Sequence, residues 1–284
     1  MSTPKCIASC WTSGGNVGPG FDSEISPIDP IERIQAIAAT GWSGFGLPAA
    51  DLRVVDETIG FKALYERAQE LNLNHIEVEF ATDWWLDDSK WRETWDLLIR
   101  AATALNAKMI KVGSAFGDPV TDITPFIAPY RRLAQEAAAI GSKVALEPIP
   151  FCLLGSVPQG ADLMAAVDHP AAGLVVDYWH IFRGNTSLEE LERRVPIEYV
   201  FGIELTDARN EIFGTMFEDT RNNRKLLGEG EQDVIGFIKT MQRMGYKGDW
   251  GVEILSTEHR AKPILEGLQD AIDSAKKAFE LAAN

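Results

Sequence analysis

Four acidic side chains stand at the ends of four short apolar runs in the second half of the chain. They are Glu147 in KVALEPIP, Asp177 in GLVVDYWH, Glu204 in VFGIELTD and Glu253 in DWGVEIL. A carboxylate at the end of a buried strand is costly unless something pairs with it. Four of them, each separated from the next by at least one strand–helix unit, indicate a ring of carboxylates around a shared centre. A divalent cation is the simplest group that would hold such a ring together.

A carboxylate after a strand can also serve as the cap of the next helix, and that explanation is adequate for any one of the four. It is less adequate for all four together. Side chains alternate along a strand, so the residue two positions before each acid shares its face. Those residues are small or apolar: Ala145, Val175, Gly202 and Gly251. The acids are therefore predicted to lie at the mouth of a barrel, above a packed floor.

Strand-like and helix-like segments alternate along the whole chain. The strand candidates are 6–11, 44–48, 75–80, 109–114, 143–148, 173–177, 199–205 and 250–255, and helical patterns cover 31–40, 61–71, 91–105, 125–140 and 234–244. Residues suited to end a helix follow these patterns at Gly41, Asn72, Asn106, Gly141 and Gly245. Eight strand–helix units in 284 residues predict a (β/α)8 TIM barrel, formed as a single domain over 1–284.

An open doubly wound sheet would give the same alternation of strands and helices. The first strand is not followed by a G-x-G-x-x-G motif, which disfavours the dinucleotide-binding form of that fold. In a barrel, residues at the carboxyl ends of the strands build the active site, and all four acids lie there.

Charge and composition limit the partners. The formal net charge is −15, from 27 basic and 42 acidic residues, which repels nucleic acid and anionic membrane surfaces. The three cysteines lack CxxC spacing, so we expect free thiols in a reducing compartment. The N-terminus has no signal-peptide pattern and no apolar run approaches the ~20 residues that cross a bilayer. We expect a cytoplasmic enzyme, with homo-oligomerisation or a partner subunit left open.

His180 is the histidine best placed for chemistry, because it follows Asp177 by three residues and a helix that starts there would put both on one side of the site. The alternative is a polar residue satisfied at a helix start. Aromatic side chains also follow several predicted strands, and sugars stack their C–H faces on such rings. Loop packing would explain them equally well. The candidates for the predicted mouth are Trp11, Trp84, Trp85 and Trp179, with Glu79 and Lys111 as further substrate contacts.

Five motifs together resemble the xylose isomerase-like barrels described as sugar phosphate isomerases/epimerases. They are LEP (146–148), D-x-x-H (177–180), E-L-T-D (204–207), R-x-x-x-G-E-G (224–230) and GYKGDWGVEIL (245–255). The resemblance extends over nearly the whole chain. It implies that one divalent metal is held by Glu147, Asp177, Glu204 and Glu253. It also implies that the D-x-x-H histidine, His180, and an arginine after the seventh strand, Arg209, contact substrate oxygens.

The chain departs from this family at Glu204, where many members carry histidine. If Glu204 binds the metal, the ligands are all carboxylates, a set that suits Mg²⁺ or Mn²⁺ better than Zn²⁺ or Cu²⁺. Four carboxylates outweigh a 2+ ion, so one would be protonated, or Lys111 or Arg209 would supply balancing charge. Alternatively, Glu204 does not bind metal and the affinity is weak.

The resemblance implies an isomerase or epimerase that acts on a keto sugar or cyclitol through a metal-stabilised enediolate, with Glu147 and Glu253 as acid/base residues. The same intermediate would expel a leaving group in the β position, so the alternative is a lyase, either a dehydratase or an enzyme that cleaves 3-keto-glycosides, including C-glycosides. A non-phosphorylated sugar or cyclitol is favoured, because no Gly-rich helix start with a nearby lysine is evident. Two other classes of protein share this barrel. One is a repair endonuclease, which is disfavoured because the chain has only four histidines and a net charge of −15. The other is a non-catalytic partner subunit.

Overall fold

Eight parallel strands close into a barrel in the order β1 to β8, and β8 pairs back onto β1. The computed structural model describes residues 4–87 and 89–284. Within these residues, no helix combines the length and the apolar composition needed to cross a membrane. The strands are β1 (Cys6–Ala8), β2 (Gly44–Pro48), β3 (His75–Ala81), β4 (Met109–Val112), β5 (Val144–Leu146), β6 (Ala172–Asp177), β7 (Val200–Leu205) and β8 (Trp250–Val252).

Helices surround the strands and pack their apolar faces against the barrel. In the longest, α13, the residues that recur at helical spacing are buried, among them Leu268, Ile272 and Phe279. The helices are α1 (Cys10–Ser13), α2 (Pro30–Ala39), α3 (Ala49–Glu57), α4 (Phe61–Glu70), α5 (Ser89–Leu105), α6 (Thr124–Ala139), α7 (Val157–Val167), α8 (Tyr178–Arg183), α9 (Leu188–Arg194), α10 (Met216–Asn222), α11 (Val234–Met244), α12 (Thr257–Arg260) and α13 (Ile264–Ala282).

The predicted barrel is confirmed, and several strands are shorter than predicted. The first ends at Ala8, and the chain turns at once into α1, so Trp11 is helical. Similarly, β5 and β8 each end one residue before an acid, which leaves Glu147 and Glu253 at the rim, just beyond the strands. Each of the five predicted helix-ending residues has a positive φ, from +50° to +95°: Gly41, Asn72, Asn106, Gly141 and Gly245.

A small apolar layer forms the barrel floor, as predicted from the residues beneath the acids. Ala145 and Val175 pack there with Met109. A Cβ on Gly202 would lie 2.4 Å from Met109 Cε, so the absent side chain is what admits the methionine. Gly251 instead leaves room for the neighbouring strand, because a Cβ there would lie 3.2 Å from Glu204 Cγ and only 2.5 Å from a strand carbonyl oxygen.

Candidate active site

Four carboxylates meet above this floor. Each of Glu147, Asp177, Glu204 and Glu253 offers an oxygen, and these oxygens all lie within 4.8 Å of one another. Asp177 and Glu204 are direct neighbours in the β6–β7 register. All four side chains are buried. The structure therefore brings together the ring of acids that the sequence predicts.

Arg224 joins two of the acids. Its Nη1 donates a hydrogen bond to Asp177 Oδ2 at 2.7 Å and lies 3.1 Å from Glu253 Oε2. Nε and Nη2 both donate to Thr220 Oγ1, which fixes the plane of the guanidinium. Burial alone would raise the pKa of Asp177, but the Arg224 charge and the hydrogen bonds from Arg224 and the His180 amide lower it.

Two of the sequence motifs position Arg224. The carboxylate of Asp207, the last residue of E-L-T-D, accepts hydrogen bonds from the Gly228 and Gly230 amides at 2.9 and 3.1 Å. The backbone of Asp207 also pairs in both directions with that of Lys225. A Cβ on Gly230 would lie 2.2 Å from Asp207 Oδ1, so this position requires glycine. The G-E-G loop is therefore anchored on Asp207, and Arg224 is the residue that it delivers to the acids.

Lys111 lies beside the acids on the β3–β4 side. Its side chain is fully buried, with Nζ 2.5 Å from Glu204 Oε1, 3.1 Å from Glu79 Oε2 and 3.6 Å from Glu77 Oε2. Burial would lower the pKa of Lys111, but Glu204, Glu79 and Glu77 raise it well above its usual range, so the ammonium stays charged. One cation thus serves three carboxylates.

Glu204 is bound through one oxygen. Oε1 accepts hydrogen bonds from Lys111 Nζ and, at 2.8 Å, from Ser9 Oγ. Oε2 is buried and finds no hydrogen-bond partner among the described residues. Burial and the neighbouring charges of Glu147 and Glu79 raise the pKa of Glu204 to about 8, even though Lys111 opposes the shift. Because a buried oxygen without a partner is costly, Oε2 is an atom that a further ligand would stabilise.

Negative charge is in excess at the centre of the site. Burial and the neighbouring carboxylates raise the pKa of Glu253 well above its usual range, although Arg224 opposes this. Among the described residues, Lys111 contacts Glu204, and Arg224 contacts Asp177 and Glu253. Clustered oxygens, one of them unpartnered, with a surplus of negative charge fit a divalent cation, for which carboxylates are suitable ligands.

His180 is held beside Glu147 by the local fold. Asp177 caps α8, and its Oδ1 accepts from the backbone amides of Trp179 and His180 at 2.7 and 3.2 Å. This cap starts the helix at once and turns the imidazole inward, where Nε2 lies 3.1 Å from Glu147 Oε1. The prediction that His180 shares a side with Asp177 therefore agrees with its position, 4.0 Å from Asp177 Oδ2.

A cavity of about 700 Å³ opens above the acids. Its wall includes Glu147 and Glu253, with His180 and Arg224 beside them. Two predicted substrate contacts, Trp11 and Glu79, also line it. The volume lies within the range of ligand pockets in proteins, roughly 300–1,000 Å³. The cavity therefore gives a small molecule direct access to two of the four carboxylates.

Three predicted substrate contacts lie away from the cavity wall. Arg209 is exposed, with its guanidinium carbon 5.9 Å from the centre of the Phe213 ring. Lys111 lies below the wall, among its carboxylates. Trp179 is fully buried, with Arg183 and Arg224 within 5.6 Å of its ring centre, so it supports the arginine that touches the acids. Their positions argue against direct contact with a substrate in the cavity.

Trp84 and Trp85 pack edge to face, with ring centres 5.3 Å apart, and Trp84 also packs on Phe126 and Tyr130. The indole nitrogen of Trp84 donates to the Gly113 carbonyl oxygen at 2.6 Å. These contacts agree with the alternative interpretation of the two tryptophans, in which they pack loops over the barrel.

Sequence reasoning missed two residues that bind the acids, Arg224 and Ser9. Arg224 left a signal, because it belongs to the R-x-x-x-G-E-G motif, but the motif alone does not indicate that the arginine turns toward β6 and β8. Ser9 left none, since its contact with Glu204 spans 195 positions of the chain.

The structure is thus a closed parallel barrel with acids at or just beyond the carboxyl ends of its last four strands. The chain belongs to the xylose isomerase-like TIM barrel family, whose model matches residues 34–280. This confirms the resemblance seen in the motifs.

Relatives in this family include enzymes of different reaction types. The chain is 26% identical over 267 residues to a 3-dehydroshikimate dehydratase of Pseudomonas putida, a match that covers 86% of this chain and 39% of the relative. It is 26% identical over 144 residues to an inosose isomerase of Halalkalibacterium halodurans, covering 50% of each. The crystal structure of the IOLI protein with a bound zinc atom superposes with a TM-score of 0.78 at 16% identity, covering 96% of this chain and 97% of that one. The chain thus spans well under two thirds of both curated relatives.

Proposed function

We propose that this protein is a divalent-metal-dependent isomerase or epimerase of a keto sugar or cyclitol. The observation that carries the proposal is the set of four carboxylates with mutually close oxygens, two of which line a cavity of ligand size. Glu147, Asp177, Glu204 and Glu253 would hold the metal, and an all-oxygen set favours Mn²⁺ or Mg²⁺. Glu204 would bind through Oε2, because Lys111 and Ser9 occupy Oε1.

A bound divalent cation would polarise the substrate carbonyl and the neighbouring hydroxyl, which acidifies the C–H bond between them. Glu147 lies on the cavity wall and would remove that proton, with His180 Nε2 fixing its carboxylate from 3.1 Å. Glu253, just beyond the last strand, would return a proton to the other face or to the neighbouring carbon. Arg224, which contacts Glu253 and also lines the cavity, would orient a substrate oxygen.

A second candidate is a lyase of the same barrel. The match to a dehydratase over 86% of this chain favours it. Chemically, the two candidates share the removal of a proton beside the carbonyl and differ in the fate of the resulting enolate. If the substrate has a leaving group in the β position, its departure completes an elimination before reprotonation. Product analysis with a 3-keto-glycoside separates them, since a lyase releases the aglycone and an epimerase does not.

The proposal is tested by incubating Mn²⁺-loaded protein with keto sugars, inososes and 3-keto-glycosides in D₂O. We expect deuterium at the carbon beside the carbonyl in the recovered pool. Glu147→Gln and Glu253→Gln should each slow incorporation by about 10²- to 10⁴-fold, the usual contribution of a general acid or base.

Glu258→Gln is the matched control, because this nearby carboxylate is 76% exposed and its partner among the described residues is Lys225. It should exchange deuterium at the wild-type rate. Absence of deuterium in every substrate, or wild-type rates in both glutamine variants at the site, would contradict the proposal.

A further inference from the structure

Three phenylalanines line the same cavity as the acids. Phe116 follows β4, Phe151 follows β5, and Phe217 lies in α10. Their ring centres are 5.3 Å apart for Phe116 and Phe217, 5.7 Å for Phe116 and Phe151, and 6.2 Å for Phe151 and Phe217. Each ring therefore contacts the other two, although the residues come from three separate segments. We refer to them as the phenylalanine triad.

The triad is built on ordered backbone. The segments after β4 and β5 pair with each other, with the Gly117 amide donating to the Phe151 carbonyl at 3.1 Å and the Leu153 amide donating to the Ala115 carbonyl at 3.0 Å. The Leu154 amide donates to Ser114 Oγ at 2.9 Å. Even so, Phe116 is 67% exposed, more than any other large apolar residue among those described. A contiguous apolar patch at the wall of a cavity is typical of a ligand-binding groove.

We propose that the phenylalanine triad binds an aromatic group attached to the sugar, so that the substrate is an aryl glycoside or a similar conjugate rather than a free monosaccharide. This inference rests on the proposed function, because it places the sugar at the acids. The cavity is continuous from Glu147 and Glu253 to the triad, so one small molecule can touch both ends.

The cavity is polar at the end near the acids and aromatic at the end near the triad, as a substrate with a sugar and an aryl group requires. Charged side chains and His180 surround the inner end, where hydroxyl and carbonyl oxygens need partners. Aromatic rings at the other end offer faces and edges at the angles that aromatic pairs prefer, with planes inclined by 41° to 74°. A free monosaccharide would leave the triad in water, since its polar groups would be satisfied at the inner end.

The triad is tested by calorimetric binding of phenyl β-D-glucopyranoside and methyl β-D-glucopyranoside to the Mn²⁺-loaded protein. The two probes share the sugar and differ only in the group that would reach the triad. Wild type should bind the phenyl glycoside about tenfold more tightly. Phe116→Ala and Phe217→Ala should each reduce that ratio about threefold, because each removes one ring contact, while affinity for the methyl glycoside is retained.

Phe213→Ala is the matched control. Phe213 is also an exposed phenylalanine after β7, but it does not line the cavity, so the ratio should stay at the wild-type value. Equal affinities of wild type for the two glycosides, failure to bind either, or an unchanged ratio in both triad variants would overturn the subsite. If wild type binds the two glycosides equally and Phe116→Ala also changes the molecular mass in solution, the triad is instead an interface between subunits.

The subsite and the proposed function fail separately. If wild type exchanges deuterium with keto sugars but shows no phenyl preference, the triad does not bind substrate and the chemistry stands. If wild type prefers the phenyl glycoside but exchanges no deuterium with any keto substrate, the subsite exists and the proposed reaction is wrong.

Discussion

Replacing Lys111 by methionine tests whether a single buried cation stabilises the fold by pairing with the carboxylates around it. Methionine has similar length and no charge, so the change removes the ammonium without opening a large cavity. The ammonium lies 2.5 Å from Glu204 and 3.1 Å from Glu79. With it gone, these two carboxylates and Glu77 share a buried space without their common partner.

The expected loss comes from this geometry. Removing one partner of a buried ion pair typically costs about 3–5 kcal/mol, because the remaining charge stays buried and unpaired. Lys111 has three such partners, so we expect Lys111→Met to lie at the upper end of that range, about 5 kcal/mol. A divalent cation at the four acids would offset part of this, since a ligand at about 100 times its dissociation constant adds about 2.7 kcal/mol.

The assay is urea unfolding at pH 7, with EDTA and with added Mn²⁺, for wild type, Lys111→Met and the control Lys108→Met. Lys108 precedes β4 and is exposed, so its replacement should change the free energy of unfolding by no more than about 0.5 kcal/mol. A free energy of unfolding for Lys111→Met in EDTA within about 1 kcal/mol of the control would contradict this expectation, and so would Mn²⁺ that stabilises neither wild type nor this variant.

Two further predictions concern the arginine at the acids and a histidine at the start of β3. Arg224→Met should lower kcat/KM at least ~100-fold, because Arg224 contacts the acids. Arg209→Ala should keep kcat/KM within about twofold of wild type, because Arg209 lies outside the cavity. Equal effects of the two substitutions would contradict this assignment. Burial would lower the pKa of His75, but hydrogen bonds to Asp249 and Glu77 outweigh it and raise that pKa from 6.5 to about 9. Because the folded value is the higher one, this stabilisation is complete below pH ~6.5 and is lost as pH rises to about 9, by up to about 3 kcal/mol. Urea unfolding across that window should show the decline in wild type and a flatter profile in His75→Gln; parallel profiles would refute it.

The barrel and the ring of acids could be predicted because both depend on local patterns. Strand and helix periods, with glycine or asparagine after each helix, place the elements, and the acids stand at fixed positions relative to strand ends. Trp11, Glu79 and His180 reach the cavity for the same reason. The strand ends were less predictable, because an apolar residue after a strand looks the same whether it continues the strand or begins a turn.

The contacts of Arg224 with the acids could not be predicted, because they depend on the packing of distant segments. The Arg224 side chain reaches Asp177 from a segment that is held by backbone hydrogen bonds between Lys225 and Asp207. The sequence indicates Lys111 as a source of balancing charge, but a lysine inside a strand pattern gives no indication of how many carboxylates will surround it. For Arg209, the position after the seventh strand was a reasonable guide, yet the loop carries the side chain outward, over Phe213.

Metal content shows directly whether the four carboxylates form one metal centre. Wild type and Glu204→Ala, prepared identically, would be analysed by elemental mass spectrometry as isolated and after exposure to Mn²⁺. We expect about one equivalent of a divalent ion in wild type and its loss in Glu204→Ala, where the unpartnered Oε2 is gone. A wild type that carries no metal and takes up no Mn²⁺ would contradict it, and so would full occupancy in Glu204→Ala.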